Sequence, residues 1–183
     1  IGDVGILLAM WASHHLWHEN ITFSKLYNYD LVHEHLQNHS LIGVIISLGI
    51  LVAAAAKSAQ LPFSSWLPRA MEGPTPSSAI FYGALSVHLG VFLLLRTSPI
   101  WSYTYLTRSI VFTVGLLTVI VASISEKTQS NIKGKVAYGS ITQVGFMFME
   151  LALGLESLVL VHFLGNAFLR CYQLLVSPSI VAH

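Results

Sequence analysis

Polar and apolar positions alternate along this chain in long blocks. Apolar runs recur at close to the 20 residues that a helix needs to cross a bilayer, and six such segments are predicted. They cover residues 1–17, 41–59, 77–95, 109–125, 136–155 and 157–176, and the second has a broken continuation over 62–71. The links are short, so neighbours are expected to run antiparallel. The break follows from KSAQLPFSSWLPRAM, where Pro62 and Pro68 remove backbone donors and crowd the preceding turn. The sequence EGPTPSS then stops one element, and Ser77 or Ser78 is placed to cap the next. The predicted fold class is all-α, a polytopic transmembrane bundle with a proline-broken helix. Such a break is tolerated in a membrane where protein or a wet cavity surrounds it.

Composition agrees. Hydrophobic residues make up 54% of the chain and charged residues 9%, against about 25% charged in an ordinary soluble domain. Mean hydropathy is +0.68. A formal net charge of +1 offers no basic surface for a nucleic-acid backbone, so no nucleic-acid partner is expected. The one cysteine, Cys171, excludes an internal disulfide and a four-thiolate metal site. Lys25, Arg96 and Arg108 fall on one side of the membrane and Arg69, Lys127, Lys133 and Lys135 on the other, which leaves orientation undecided. The chain opens Ile1-Gly2-Asp3 without a methionine and ends just after an apolar run, and it reads as the middle portion of a longer protein.

Candidate chemistry lies in the ionisable groups inside the apolar runs, where each is costly. A lysine at the centre of a span costs roughly 2.5–3.5 kcal/mol on insertion scales. Lys57 follows four alanines and precedes the proline break. Two readings stand: an amine that exchanges its proton in a wet site, or a lysine near a helix end that snorkels to the interface. His162, Asn166 and Arg170 recur at four-residue spacing and form a polar stripe on one helix face. In it an imidazole can exchange protons while a guanidinium stays charged. His88 and Glu150 are further internal candidates, and Asp3 is a weaker one. Lys133 and Lys135 flank the fifth segment; Lys135 marks the interface, and Lys133 is a candidate for the ion path. The structural alternatives are a histidine bonded across helices and a carboxylate near a helix end. His18, His33, His35 and His39 lie in the long polar loop, which is expected to hold an amphipathic surface helix around Phe23 to Leu36 rather than a metal. No paired nucleophile and base, no phosphate loop and no zinc-hydrolase motif occurs. No catalytic residue, cofactor or metal is therefore assigned, and transport or a structural membrane role ranks above catalysis.

Several of these residues carry a family resemblance. KSAQLPFSSWLPRAMEGPTPSSA resembles the signature of the antiporter-like proton-translocating subunits, which include the L-type chain of respiratory complex I and the corresponding chain of sodium/proton antiporters. IGDVG and IKGKVAYGSITQVGFMF resemble two further segments of that family. The resemblance implies a fold of the fourteen-helix class, with inverted repeats and broken helices. It gives Lys57 the place of a central channel lysine, Lys133 that of the lysine in a DIKR-like segment, and His162 the first place in a His-x-x-x-His-x-x-x-Lys stripe. Four positions depart from the complex I pattern: Tyr82 and Asn166 replace histidines, Arg170 a lysine and Asn131 an aspartate. The ending FLRCYQLLVSPS is more similar to the membrane subunit of an inorganic-carbon uptake system. The resemblance thus implies a proton-translocating subunit of such an uptake complex in a bacterial inner membrane, with other membrane subunits and a large zinc-dependent soluble partner. The alternative is a pumping subunit of NADH:quinone oxidoreductase or of a sodium/proton antiporter.

Overall fold

The computed structural model describes residues 1–18, 22–26, 28, 32, 34, 36 and 39–176. The chain is an all-α polytopic bundle, and among the described residues no strand occurs. Eight helical elements carry the fold: α1 (Gly2–Trp17), α2 (Ser40–Lys57), α3 (Trp66–Ala70), α4 (Ser78–Arg96), α5 (Ser98–Trp101), α6 (Tyr105–Thr128), α7 (Ile132–Ala152) and α8 (Glu156–Val176). Phe23–Leu26 and Thr75–Ser77 add single turns. The surface helix expected over Phe23–Leu36 falls in part outside the described residues, as do His33 and His35.

Among the described helices, α2, α4, α6 and α8 are long and apolar enough to cross a membrane. At 16 residues α1 is shorter. At 21 residues α7 is long enough but is diluted by Lys133, Lys135, Gln143 and Glu150. Among the long helices it is also the most enclosed by protein: Ala137, Ile141, Val144, Met147 and Phe148 are fully buried. It packs against α6 and α8, and also against α3 and α4. On the other side of the bundle α1 packs on α2, and α2 on α4.

Lipid gives apolar side chains little reason to leave it, so helices in a membrane associate by close packing of small residues. Two glycine pairs show this. A Cβ on Gly5 would lie 2.6 Å from the Gly49 carbonyl oxygen, and one on Gly49 would lie 2.7 Å from that of Gly5. Gly115 and Gly145 face each other in the same way between α6 and α7, at 2.7 and 3.1 Å.

Helix α2 stops at Lys57, and residues 58–65 are not helical. Ala59 takes a left-handed conformation there (φ 52°). Two side chains bond to backbone groups at this break. The Trp66 indole donates to the Ala56 carbonyl at 3.0 Å. Thr118 Oγ1 of α6 accepts from the Leu61 amide at 3.0 Å. A second irregularity faces this one. Helix α4 begins with wide π-helical turns over Ser78–Leu85, tightens into 3-10 geometry over Ser86–His88, and is regular only from Leu89. Ser58 bridges the two irregular stretches by donating to the Val87 carbonyl at 2.7 Å.

Candidate functional site

Side-chain hydrogen bonds that join titratable groups to carboxamides run between α7 and α8 and from α8 to α4. Glu150 and Gln143 are seven residues apart on α7, two turns, and so share a face. A three-residue turn, Leu153 to Leu155, returns the chain into α8, and Gly154 takes φ 82° within it. That tight return sets His162 against the same face. Its Nδ1 lies 2.9 and 3.1 Å from the two Glu150 carboxylate oxygens, and its Nε2 lies 2.9 Å from Gln143 Oε1. Both side chains of this hydrogen-bonded pair are mostly enclosed, at 23% and 20% exposed. Among the described residues Gln143 makes no other side-chain hydrogen bond that would fix its amide.

One turn further along α8 a second group forms. Asn166 Nδ2 lies 3.0 Å from His88 Nε2 on α4. Arg170 Nε donates to Asn166 Oδ1 at 3.3 Å, and its Nη1 donates to Gln173 Oε1 at 2.8 Å. Phe163 meets the His88 ring edge-on, with centroids 5.0 Å apart. The guanidinium lies over Gly139 of α7, where a Cβ would meet its two terminal nitrogens at 3.1 and 3.2 Å. Glu126 Oε1, at the end of α6, comes within 3.2 Å of that same point. A glycine thus leaves a notch in which a carboxylate from α6 faces an arginine from α8.

Lys57 is apart from these groups. It is the last residue of α2, its side chain is exposed, and it lines a groove of about 510 Å³ with Asp3, Ile6, Trp66, Phe92 and Arg96. Lys133 is not joined to them either. Its Nζ donates to the Gly73 carbonyl at 2.8 Å, which ties the start of α7 to the EGPTP turn. Asn131, two residues earlier, caps α7 by accepting from the Gly134 amide. A neutral amide does this as well as a carboxylate.

The structure therefore brings Glu150 to His162, and His88 to Arg170 through Asn166. It places Lys57 and Lys133 elsewhere. Sequence reasoning gave no role to Gln143, Glu126 or Gly139. The spacing of Gln143 and Glu150 was a usable signal, whereas nothing local marks Glu126 as the carboxylate facing Arg170.

The family described as NADH:quinone oxidoreductase/Mrp antiporter, TM, matches residues 1–183. The chain is 35% identical over 183 residues to "NADH-ubiquinone oxidoreductase chain 5" of Metridium senile, covering 99% of this chain and 29% of that protein. It is 32% identical over 183 residues to "NAD(P)H-quinone oxidoreductase subunit 5, chloroplastic" of Buxus microphylla, covering 99% and 24%. It is 37% identical over 150 residues to "Probable inorganic carbon transporter subunit DabB2" of Halothiobacillus neapolitanus, covering 81% and 27%. The chain thus spans under a third of the length of these relatives. Its sequence match from first residue to last, together with its broken apolar helices, makes it a member of the NADH:quinone oxidoreductase/Mrp antiporter transmembrane family.

Proposed function

We propose that this chain is the proton-conducting middle portion of an antiporter-like membrane subunit, and that His162 and Glu150 exchange the proton. The observation that carries this is the imidazole held between a carboxylate and an amide inside an apolar bundle. With Nδ1 donating to Glu150, a charged ring also donates from Nε2 to Gln143 Oε1. When the ring is neutral, Nε2 accepts instead, and the Gln143 amide turns to offer its N–H. One side chain thus serves both states, and a proton passes with small motions and no covalent step. In this reading Lys57 is a second exchanging group, with Asp3 in the same groove to hold its charge. Arg170 is the fixed charge beside the route. Lys133, bonded to Gly73, holds two elements together.

Within the family we favour the inorganic-carbon uptake branch, in a bacterial inner membrane and with a large zinc-dependent soluble partner. The FLRCYQLLVSPS ending and the replacements Tyr82, Asn166 and Arg170 support it, as does the 37% identity to the carbon-transporter relative. The whole-length match to oxidoreductase chain 5 relatives favours the respiratory alternative.

The test is proton flux by the full-length subunit, reconstituted with its partners in vesicles. His162→Phe and Glu150→Gln are each expected to lower flux at least about tenfold while the complex still assembles; wild-type flux in both overturns the reading. For the branch, the complete complex is expressed in a strain unable to grow in air without added carbon dioxide. Restored growth supports carbon uptake, and NADH-driven quinone reduction without restored growth supports the respiratory role.

A further inference from the structure

The two internal histidines sit in opposite kinds of hydrogen-bond setting, although each faces a carboxamide. The difference comes from Arg170. A guanidinium carries donors only, so the atom that Asn166 turns toward Arg170 must be its oxygen. The amide nitrogen then points at His88. An amide nitrogen also only donates, so His88 Nε2 must accept, and a nitrogen that accepts carries no proton. A carboxamide can ordinarily be turned end for end without changing its shape. Here the chemistry of the neighbouring arginine fixes it.

We infer that Arg170, acting through Asn166, locks His88 as a neutral ring with its proton on Nδ1, so that His88 orients the bundle and does not carry protons. The inference rests on the proton-conducting reading above for its meaning, though not for its geometry. His88 is fully buried, and Nδ1 has no hydrogen-bond partner among the described residues. The Ala84 backbone, one turn back on α4, approaches the ring without completing a hydrogen bond to Nδ1, and Phe163 stands edge-on to it. The charged and titratable groups that act on His88 are His162 and Arg170, both from α8. Gly139 belongs to the same device, because its missing Cβ lets the guanidinium lie between α6 and α7 with Glu126 opposite. The contrast with His162 is direct: among the described residues no second side-chain partner fixes the Gln143 amide, so it can face that ring with its oxygen or with its nitrogen.

The inference is tested by nitrogen-15 spectroscopy of histidine-labelled full-length protein in its complex, with His88 assigned by its loss in His88→Phe. The wild type is expected to show His88 with Nε2 unprotonated and Nδ1 protonated from pH 5 to pH 8. Asn166→Asp offers Nε2 an acceptor in place of a donor. In that variant His88 Nε2 is expected to become protonated, and the pH profile of transport to gain a second step. Arg170→Gln lets the Asn166 amide turn, and both neutral forms of His88 are expected. A protonated Nε2 in the wild type overturns the inference. So does a His88 signature unchanged in both variants. If His162→Phe and Glu150→Gln both leave flux intact while His88 keeps its Nδ1 proton, the proton-conducting reading falls and the lock stands. If flux is lost but Nε2 of His88 is protonated, the lock falls alone.

Discussion

Glu150 and Lys133 show how far one side chain's partner decides its role. The Glu150 carboxylate makes two contacts with His162, and a hydrogen bond to a charged group is worth about 1.5–3 kcal/mol. Glu150→Gln keeps the shape and removes the charge. It is expected to lower thermal stability of the assembled complex only slightly and proton flux strongly. Glu150→Ala leaves the imidazole without its anchor and is expected to lower both. Parallel melting curves and flux measurements separate the two effects. Lys133 behaves in the opposite way. If its bond to the Gly73 carbonyl serves to hold the two elements together, Lys133→Met is expected to cost about 1.5–3 kcal/mol of stability, the range for a lost charged hydrogen bond. Flux per assembled complex should stay within about twofold. A large flux loss at normal stability would return Lys133 to the ion path.

At the scale of elements, the packing of α1 on α2 depends on Gly5 and Gly49. Each carbonyl occupies the space that a side chain on the other would need. Gly49→Val is expected to separate the helices, at about 1–3 kcal/mol for overpacking, and a cysteine pair designed across the two helices should then fail to cross-link. Apolar runs, the two prolines of the break and the EGPTP stop made most elements legible in the sequence. The irregular winding of α4 was not legible: nothing in SAIFYGAL marks wide π-helical turns. The pairing of Glu150 with His162 was also hidden, because it depends on how α7 and α8 are rotated against each other after a three-residue turn. Sequence spacing reveals neighbours on one helix and is silent about facing helices. For the same reason the partner of Lys133, a carbonyl 60 residues away, was not legible either.

Across the molecule, one backbone group left open in the non-helical stretch 58–65, the Leu61 amide, is completed by a distant side chain, Thr118 of α6. Thr118→Val keeps the shape and removes the acceptor. A buried unsatisfied amide costs about 1–3 kcal/mol, so a lowered melting temperature is expected, with Thr118→Ser restoring it. Equal stability of all three proteins would show that water reaches Leu61. The same bond also has a consequence in time. Leu61 and Thr118 are 57 residues apart, and a ribosome adding about 5–20 residues per second needs roughly 3–11 seconds to make that stretch. During that interval the break after α2 has no partner from α6, and bare amides are not tolerated in hydrocarbon. The nascent segment must therefore wait at the translocon or the bilayer surface, shielded by water or a chaperone, until α6 emerges.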